Sequence, residues 1–241
     1  MEKELALAAQ IQKDFLPKEN PECENFEIAG SNIPCHQVGG DYFDYINIDP
    51  SRLGIVIADV SGKGVGASLL MASLRAALQS EVHSQYKLED MACKLNDFVH
   101  RSSSPNSFIT FFYCELNKKS GELGFINAGH NPPIILDKKG KIHRLEACGL
   151  CLGMFPSSTY EIKKVTLRLG DMALLFTDGI TEGRNKKNEE FEEERLIKLI
   201  QKHSKLSAQK LLEKIHDEVG SFTTGTAPMD DMTLIIIKRV S

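Results

Sequence analysis

The stretch FITFFYCELNKKSGELGFIN, Phe108–Asn127, holds two β-rich runs, Phe108–Leu116 and Glu122–Asn127, joined by a turn with Gly121 at its end. No helical segment separates them, which predicts a hairpin and therefore antiparallel pairing. The same pattern continues outward. Pro132 and Pro133 open Ile134–Leu136, a Lys138-Lys139-Gly140 turn leads to Lys141–Leu145, and Arg168-Leu169-Gly170 joins Tyr160–Leu167 to Asp171–Phe176. Upstream lie β-like runs at Phe26–Ile33, Tyr42–Ile48 and Leu53–Ala58. They precede two amphipathic helices, about Gly64–Gln79 and Leu88–His100, whose apolar sets include Leu70, Leu74 and Leu78, then Met91, Leu95 and Val99. Downstream, helices are expected at about Phe191–Lys202 and Ser207–Val219, the second with Ser207 at its N-cap, and Thr233–Ile237 closes as a β-branched strand. Strands grouped together rather than alternating with helices argue an α+β fold with largely antiparallel sheets. The last strand is expected to return to a sheet begun early, since alone it would bury nothing. A helix over residues 2–16, with Leu5, Ala8, Ala9, Phe15 and Leu16 as its apolar stripe, ends at Pro17. It reads equally as a connector or as an element folded back on the domain.

Composition sets bounds. The 241 residues are 41% hydrophobic and 26% charged, ordinary globular values. With 29 basic and 33 acidic residues the formal charge is −4, which argues against nucleic acid as the main partner. No apolar run approaches the roughly 20 residues of a membrane span, and the charged start has no secretory apolar core, so a reduced, cytoplasmic chain is expected. Cys148 and Cys151 form a lone C-x-x-C with neither a second pair nor a nearby His pair, and free thiols are the better reading than zinc or redox use. Residues 62–67 lack the spacing of a phosphate-binding loop, so no nucleotide is expected there.

Four places set an aspartate at the end of an apolar run or in a tight turn: Gly39-Gly40-Asp41, Ala58-Asp59-Val60-Ser61-Gly62, Phe176-Thr177-Asp178-Gly179 and Asp230-Asp231-Met232-Thr233. Each taken singly reads as a turn residue. Converging, they would repel one another and need a proton, a basic partner or a divalent cation, and an all-oxygen set favours Mg²⁺, Mn²⁺ or Ca²⁺ over zinc.

These motifs, in order with Leu7–Pro17, Val38–Asp44 and Asn127-Ala128-Gly129-His130-Asn131-Pro132-Pro133, resemble the bacterial SpoIIE/RsbU-type branch of the metal-dependent PPM (2C-type) serine/threonine phosphatases. The resemblance spans about residues 7 to 239. It implies a four-layer α/β/β/α sandwich, with residues 1–18 as a connector or regulatory helix and 19–241 as the phosphatase domain. It also implies two divalent cations, Mn²⁺ or Mg²⁺. Asp41 then matches the bridging aspartate and Asp59 the second, Val60 offers its backbone carbonyl, and Asp178 and Asp230 complete the set. Asp44 and Asp231 are expected as groups behind the ligands or as solvated loop residues, and His130 as a group that orients a ligand, protonates the leaving oxygen or stabilises its turn. A water activated between the cations needs no Ser or Cys nucleophile, and Cys35, without a base beside it, is read as structural. The arginine that eukaryotic members place ahead of the first aspartate is absent from residues 32–37, leaving phosphate recognition to the cations and His36.

The implied activity is hydrolysis of phosphoserine or phosphothreonine on a signalling protein in a partner-switching pathway, such as an anti-sigma factor antagonist of the STAS type. An activator protein or a second copy would act through the opening helix. The alternative is a weak or inactive module of the same fold that signals by association.

Overall fold

The computed structural model describes residues 2–83, 87–104 and 106–241. In chain order the elements are α1 (Glu2–Phe15), β1 (Phe26–Ile33), β2 (Tyr42–Asp49), β3 (Arg52–Val60), α2 (Val65–Val82), α3 (Leu88–Ser102), β4 (Ile109–Asn117), β5 (Glu122–Ala128), β6 (Ile134–Leu136), β7 (Ile142–Arg144), β8 (Lys163–Thr166), β9 (Met172–Phe176), α4 (Asp178–Thr181), α5 (Glu193–Lys202), α6 (Ala208–Phe222) and β10 (Met232–Arg239). Two five-stranded sheets result, ordered β1-β10-β9-β6-β7 and β2-β3-β4-β5-β8, with antiparallel neighbours throughout. The closing strand does return to the start, inserting between β1 and β9.

Strand alternation builds three cores from these two sheets. On β10, Ile235 and Ile237 face the inter-sheet core, whereas Leu234 and Ile236 pack against α5 and α6. On β4, Phe112 and Cys114 face the partner sheet, whereas Phe111 and Tyr113 pack against α2 and α3. A central strand must therefore be apolar on both faces, and β3 and β10 read as nearly continuous hydrophobic runs. Helices pack on the outer faces through Met71, Leu74, Leu78 and Leu95 on one side, and Leu196, Leu211 and Ile215 on the other. The result is helix, sheet, sheet, helix. Truncating a fully buried residue such as Leu74 to alanine would cost about 2–5 kcal/mol, because its lost contacts leave a cavity.

Several bounds move. Helix α2 runs on to Val82 and α3 to Ser102, because apolar positions keep facing sheet β2–β8. Strand β8 is shorter than Tyr160–Leu167, and the one-turn α4 was not foreseen, since four residues carry no readable period. Ser207 caps α6, its Oγ accepting from the Lys210 main-chain N–H at 3.4 Å. The opening helix lies against α2: Arg75 donates to the Phe15 carbonyl at 2.9 Å and stacks over the Phe15 ring. No helix among the described residues is long and apolar enough to cross a membrane.

Candidate metal centre

Register and parity bring the acidic residues together. Strands β2 and β3 pair with Tyr42 opposite Ala58, so Asp41, one residue before β2, comes level with Asp59. On both strands the neighbouring residues Tyr42, Ala58 and Val60 face α2 and α3, which turns Asp41 and Asp59 to the inter-sheet side. In the other sheet Leu234 pairs with Phe176, which sets Thr233 level with Thr177 at the ends of β10 and β9. Both threonines face inward and donate to Asp41 Oδ2, Thr177 at 2.8 Å and Thr233 at 2.5 Å. Asp41 is thus the joint between the two sheets. Asp178 begins the turn after β9, and Asp230 and Asp231 precede β10.

Electrostatics show how close these groups lie. Burial and the neighbouring Asp59 hold the Asp41 carboxyl well above the ordinary carboxylate range. Burial, followed by repulsion from Asp178, Asp230 and Asp231, pushes Asp59 up to about 7. Asp178 is raised by burial and by Asp230. Two carboxylates can share a proton when like charges crowd a poorly solvated site, and Asp41 and Asp59, level on neighbouring strands and both raised, are placed for it. Lys63 offsets part of the repulsion, its ammonium 2.8 Å from Asp230 Oδ2 and also bonded to the Met229 carbonyl.

Asp231 is held by the main chain. Its Oδ1 accepts from the Cys35 N–H at 2.8 Å, and its Oδ2 accepts from Gly40 at 2.7 Å and Asp41 at 3.3 Å. This pins the loop before β2 to the turn before β10. The glycines are needed for close approach: a Cβ on Gly39 would strike the Asp231 carboxylate, and one on Gly179 the Asp231 carbonyl. The Val60 carbonyl faces Gly40, where an added Cβ would meet it at 2.9 Å.

Asp44 is not brought to the cluster. Three residues from Asp41, it falls on the opposite strand face, where it accepts from the Tyr42 hydroxyl at 2.8 Å and Gln79 at 3.0 Å. His36 is exposed, in the loop between β1 and β2. His130 is 2% exposed, behind the cluster. Its Nδ1 shares a 2.8 Å hydrogen bond with Thr110 Oγ1, its main-chain N–H donates to Asn127, and Thr110 lies directly across β3–β4 from Asp59. Its Nε2 is buried with no hydrogen-bond partner among the described residues, and burial pushes its pKa down to about 4.

Four contributors were not foreseen in the sequence. Gln12 of α1 makes a reciprocal pair with Gly39, donating to its carbonyl at 2.7 Å and accepting from its N–H at 2.9 Å. Thr177 and Thr233 stand inside the aspartate motifs, but nothing local marks their hydroxyls as donors to Asp41. Cys35 comes beside Asp230 and Asp231, with ligand-type atoms of the three within 4.8 Å of one another. Burial, followed by the Asp231 carboxylate, pushes the Cys35 thiol up to about 11.

The donor set is hard oxygen, crowded beyond what one lysine neutralises, and Asp41, Asp59 and Asp178 are raised by burial first and by their carboxylate neighbours second. That is the chemistry of a divalent-cation site. Residues 49–240 match the family described as Stage II sporulation protein E (SpoIIE). The chain belongs to the SpoIIE family. Over 237 residues it is 33% identical to phosphoserine phosphatase RsbU of Bacillus subtilis (strain 168), covering 98% of this chain and 70% of that protein. It is also 30% identical over 263 residues to protein IcfG of Synechocystis sp., covering 98% of this chain but only 41% of IcfG. Among solved structures, the SiaA-PP2C domain of Pseudomonas aeruginosa superposes with a TM-score of 0.84 at 18% identity, covering 100% of this chain and 97% of that one. The four-layer sandwich of this SpoIIE-family chain is therefore the PP2C fold.

Proposed function

We propose that this SpoIIE-family chain is a metal-dependent protein phosphatase acting on phosphoserine or phosphothreonine of a signalling protein. The observation that carries this reading is the convergence of Asp41, Asp59, Asp178 and Asp230 from two sheets on one end of the sandwich, with a charge that calls for cations. Membership of a family that includes the phosphoserine phosphatase RsbU supports the reaction class. Two solved fold neighbours hold such ions, the catalytic domain of PstP two manganese ions and RsbX magnesium, and two Mn²⁺ or Mg²⁺ ions are proposed here.

Asp41, Asp59, Asp178, Asp230 and the Val60 carbonyl would hold the cations. Bound there, the cations would supply an activated water and neutralise phosphoryl oxygens. The residues of the chain do the rest. Thr177 and Thr233 fix the rotamer of Asp41, and Asp231 locks the Cys35–Asp41 loop through three main-chain N–H groups. Cation binding would release to solvent the protons held on Asp41 and Asp59, so that both could ligate as carboxylates. His130, shielded from solvent, is assigned to holding Thr110 opposite Asp59. His36 is free at the surface to meet the substrate phosphate. A cavity of about 170 Å³ beside Asp230, lined in part by Lys63, Arg184 and Met229, offers room for residues flanking the phosphoserine.

Residues 1–18 are proposed as a regulatory connector and 19–241 as the phosphatase domain, with Gln12 linking them at Gly39. A partner-switching context, with a STAS-type antagonist as substrate, is supported by the likeness to RsbU and by fold neighbours described as RsbU and RsbW domains and as part of the bacterial stressosome. The test is phosphate release from a phosphoserine protein with Mn²⁺, with Mg²⁺ and with chelator. Release that needs metal is expected. Metal binding without release from any phosphoprotein, at any concentration of chain, would favour the association-only module instead.

A further inference from the structure

On the side of the sandwich where β7 and β8 form the two sheet edges, a groove of about 1010 Å³ runs between them. Seven Lys and Arg line it against two Asp, a formal +5 in a chain whose net charge is −4. The excess cannot be assigned to ion pairing. Lys164 is paired with Glu122 at 2.8 Å and Arg144 with Glu193 at 2.5 Å, but Lys138, Lys139, Lys141 and Arg168 are exposed and have no acidic partner among the described residues. Of the two Asp, Asp171 is spent on main-chain N–H groups, accepting from Lys138 and Arg168 at 2.9 Å each.

Lysines on a strand edge commonly serve to deter edge-to-edge pairing. That explanation covers Lys163 and Lys164 on β8. It does not cover Lys138 and Lys139 in the β6–β7 turn or Arg168 in the β8–β9 turn, which have no strand edge to protect. The floor between the cations is apolar, with Phe125, Ile135 and Leu145 buried beneath and Leu169 exposed at the rim. Among the described residues strand β8 pairs only with β5, which leaves its outer edge open. An open strand edge, an apolar floor and an unpaired cationic rim together match one kind of occupant.

We propose that this groove docks an acidic, extended segment of a partner protein, laid along the free edge of β8 with carboxylates against Lys138, Lys139, Lys141 and Arg168. Main-chain hydrogen bonds from β8 would give affinity and the cations selectivity. Nucleic acid would use the cations but leave the strand edge and apolar floor unused. The groove lies at the Asp171 end of β9, away from Asp178 at the other end. At about 3.3 Å per strand residue the two are roughly 20 Å apart, so docking would leave the acidic cluster open.

The test uses the full chain and a fluorescent eight-residue peptide of alternating glutamate and valine, read by anisotropy. Binding in 50 mM salt is expected, weakened about tenfold or more by the combined Lys138→Glu, Lys139→Glu, Lys141→Glu and Arg168→Glu variant, with thermal melting and phosphate release unchanged. The milder set with Gln at the same positions should fall between, and serves if the first set misfolds. A peptide N-methylated at alternate residues, which cannot add to a strand, should lose binding. Absence of binding, equal binding by the charge variants or by the methylated peptide, or tighter binding of a DNA oligonucleotide or of phosphatidylserine vesicles would each overturn the proposal.

Discussion

Strand β9 carries an aspartate at each end, and the fold treats the two in opposite ways. Asp171 is buried and its oxygens accept two main-chain N–H bonds at 2.9 Å, among a surplus of lysines and arginines. Asp178 stands among other carboxylates, its pKa raised by burial and by Asp230. A carboxylate satisfied by its own chain stabilises the turn that holds it. A carboxylate held against its neighbours is a cost to the metal-free fold, repaid only when a ligand arrives. The same residue type therefore marks structure at one end of the strand and a candidate site at the other, and neighbouring charge tells them apart.

Exchanging each residue for asparagine gives the sharpest contrast. Asp178→Asn is expected to lower metal-dependent phosphate release by about 100-fold or more, since even groups behind a ligand cost about 10–100-fold. It should also raise the melting temperature of the chelated protein, because a repulsive charge is gone. Asp171→Asn should do the reverse, leaving release intact and costing about 1–3 kcal/mol of stability on denaturant unfolding. If both variants lost activity equally, or both lost stability, the distinction would fail.

Metal should reverse the cost at the acidic end alone. Mn²⁺ at about 100 times its Kd is expected to add roughly 2.7 kcal/mol of stability to the wild type, and clearly less to Asp178→Asn. Gln12→Ala, which removes the clamp on Gly39 but no charge, should weaken Mn²⁺ affinity by about tenfold, as read by calorimetric titration. An unchanged affinity would detach α1 from the site.

The smallest effect is a pH dependence with two opposed components. Asp59 is raised to about 7 in the fold, so the folded chain keeps a proton that the unfolded chain releases near pH 4. Stability of the chelated protein should therefore fall as pH rises from about 4 to 7. His130, pushed down to about 4, works the other way: the stability of its neutral form is complete above about pH 6.5 and is lost as pH falls towards 4. Melting curves in chelator at pH 4.5, 5.5 and 7.5 should show Asp59→Asn removing the loss on the alkaline side and His130→Gln the loss on the acid side. Two flat and identical profiles would deny both assignments.

Much of the fold was legible because hydrophobic alternation and Gly-containing turns are local. The hairpin of Phe108–Asn127, the paired helices on each side and the returning last strand all follow from periodicity, and the structure has them. The short α4 and the true extent of β8 were not legible, since four residues leave no period to read. The aspartates could be located at strand ends from the sequence, yet one at a time each looked like a turn. Asp44 shows the limit: it lies near Asp41 in sequence, and strand parity sends it to the far face, onto Tyr42 and Gln79.

The sequence by itself determined which segments are strands and which are helices, and so the antiparallel α+β class, along with the set of acidic groups available to a site; the four layers were implied by the family resemblance. Only the tertiary structure decided which of those groups meet. Pairing register set Asp41 level with Asp59, and packing of the two sheets brought Thr177 and Thr233 onto Asp41 across 136 and 192 residues of chain. Register and sheet packing are long-range choices with no local period to announce them, and so the chemistry of the site is written in contacts the chain makes with its own distant segments.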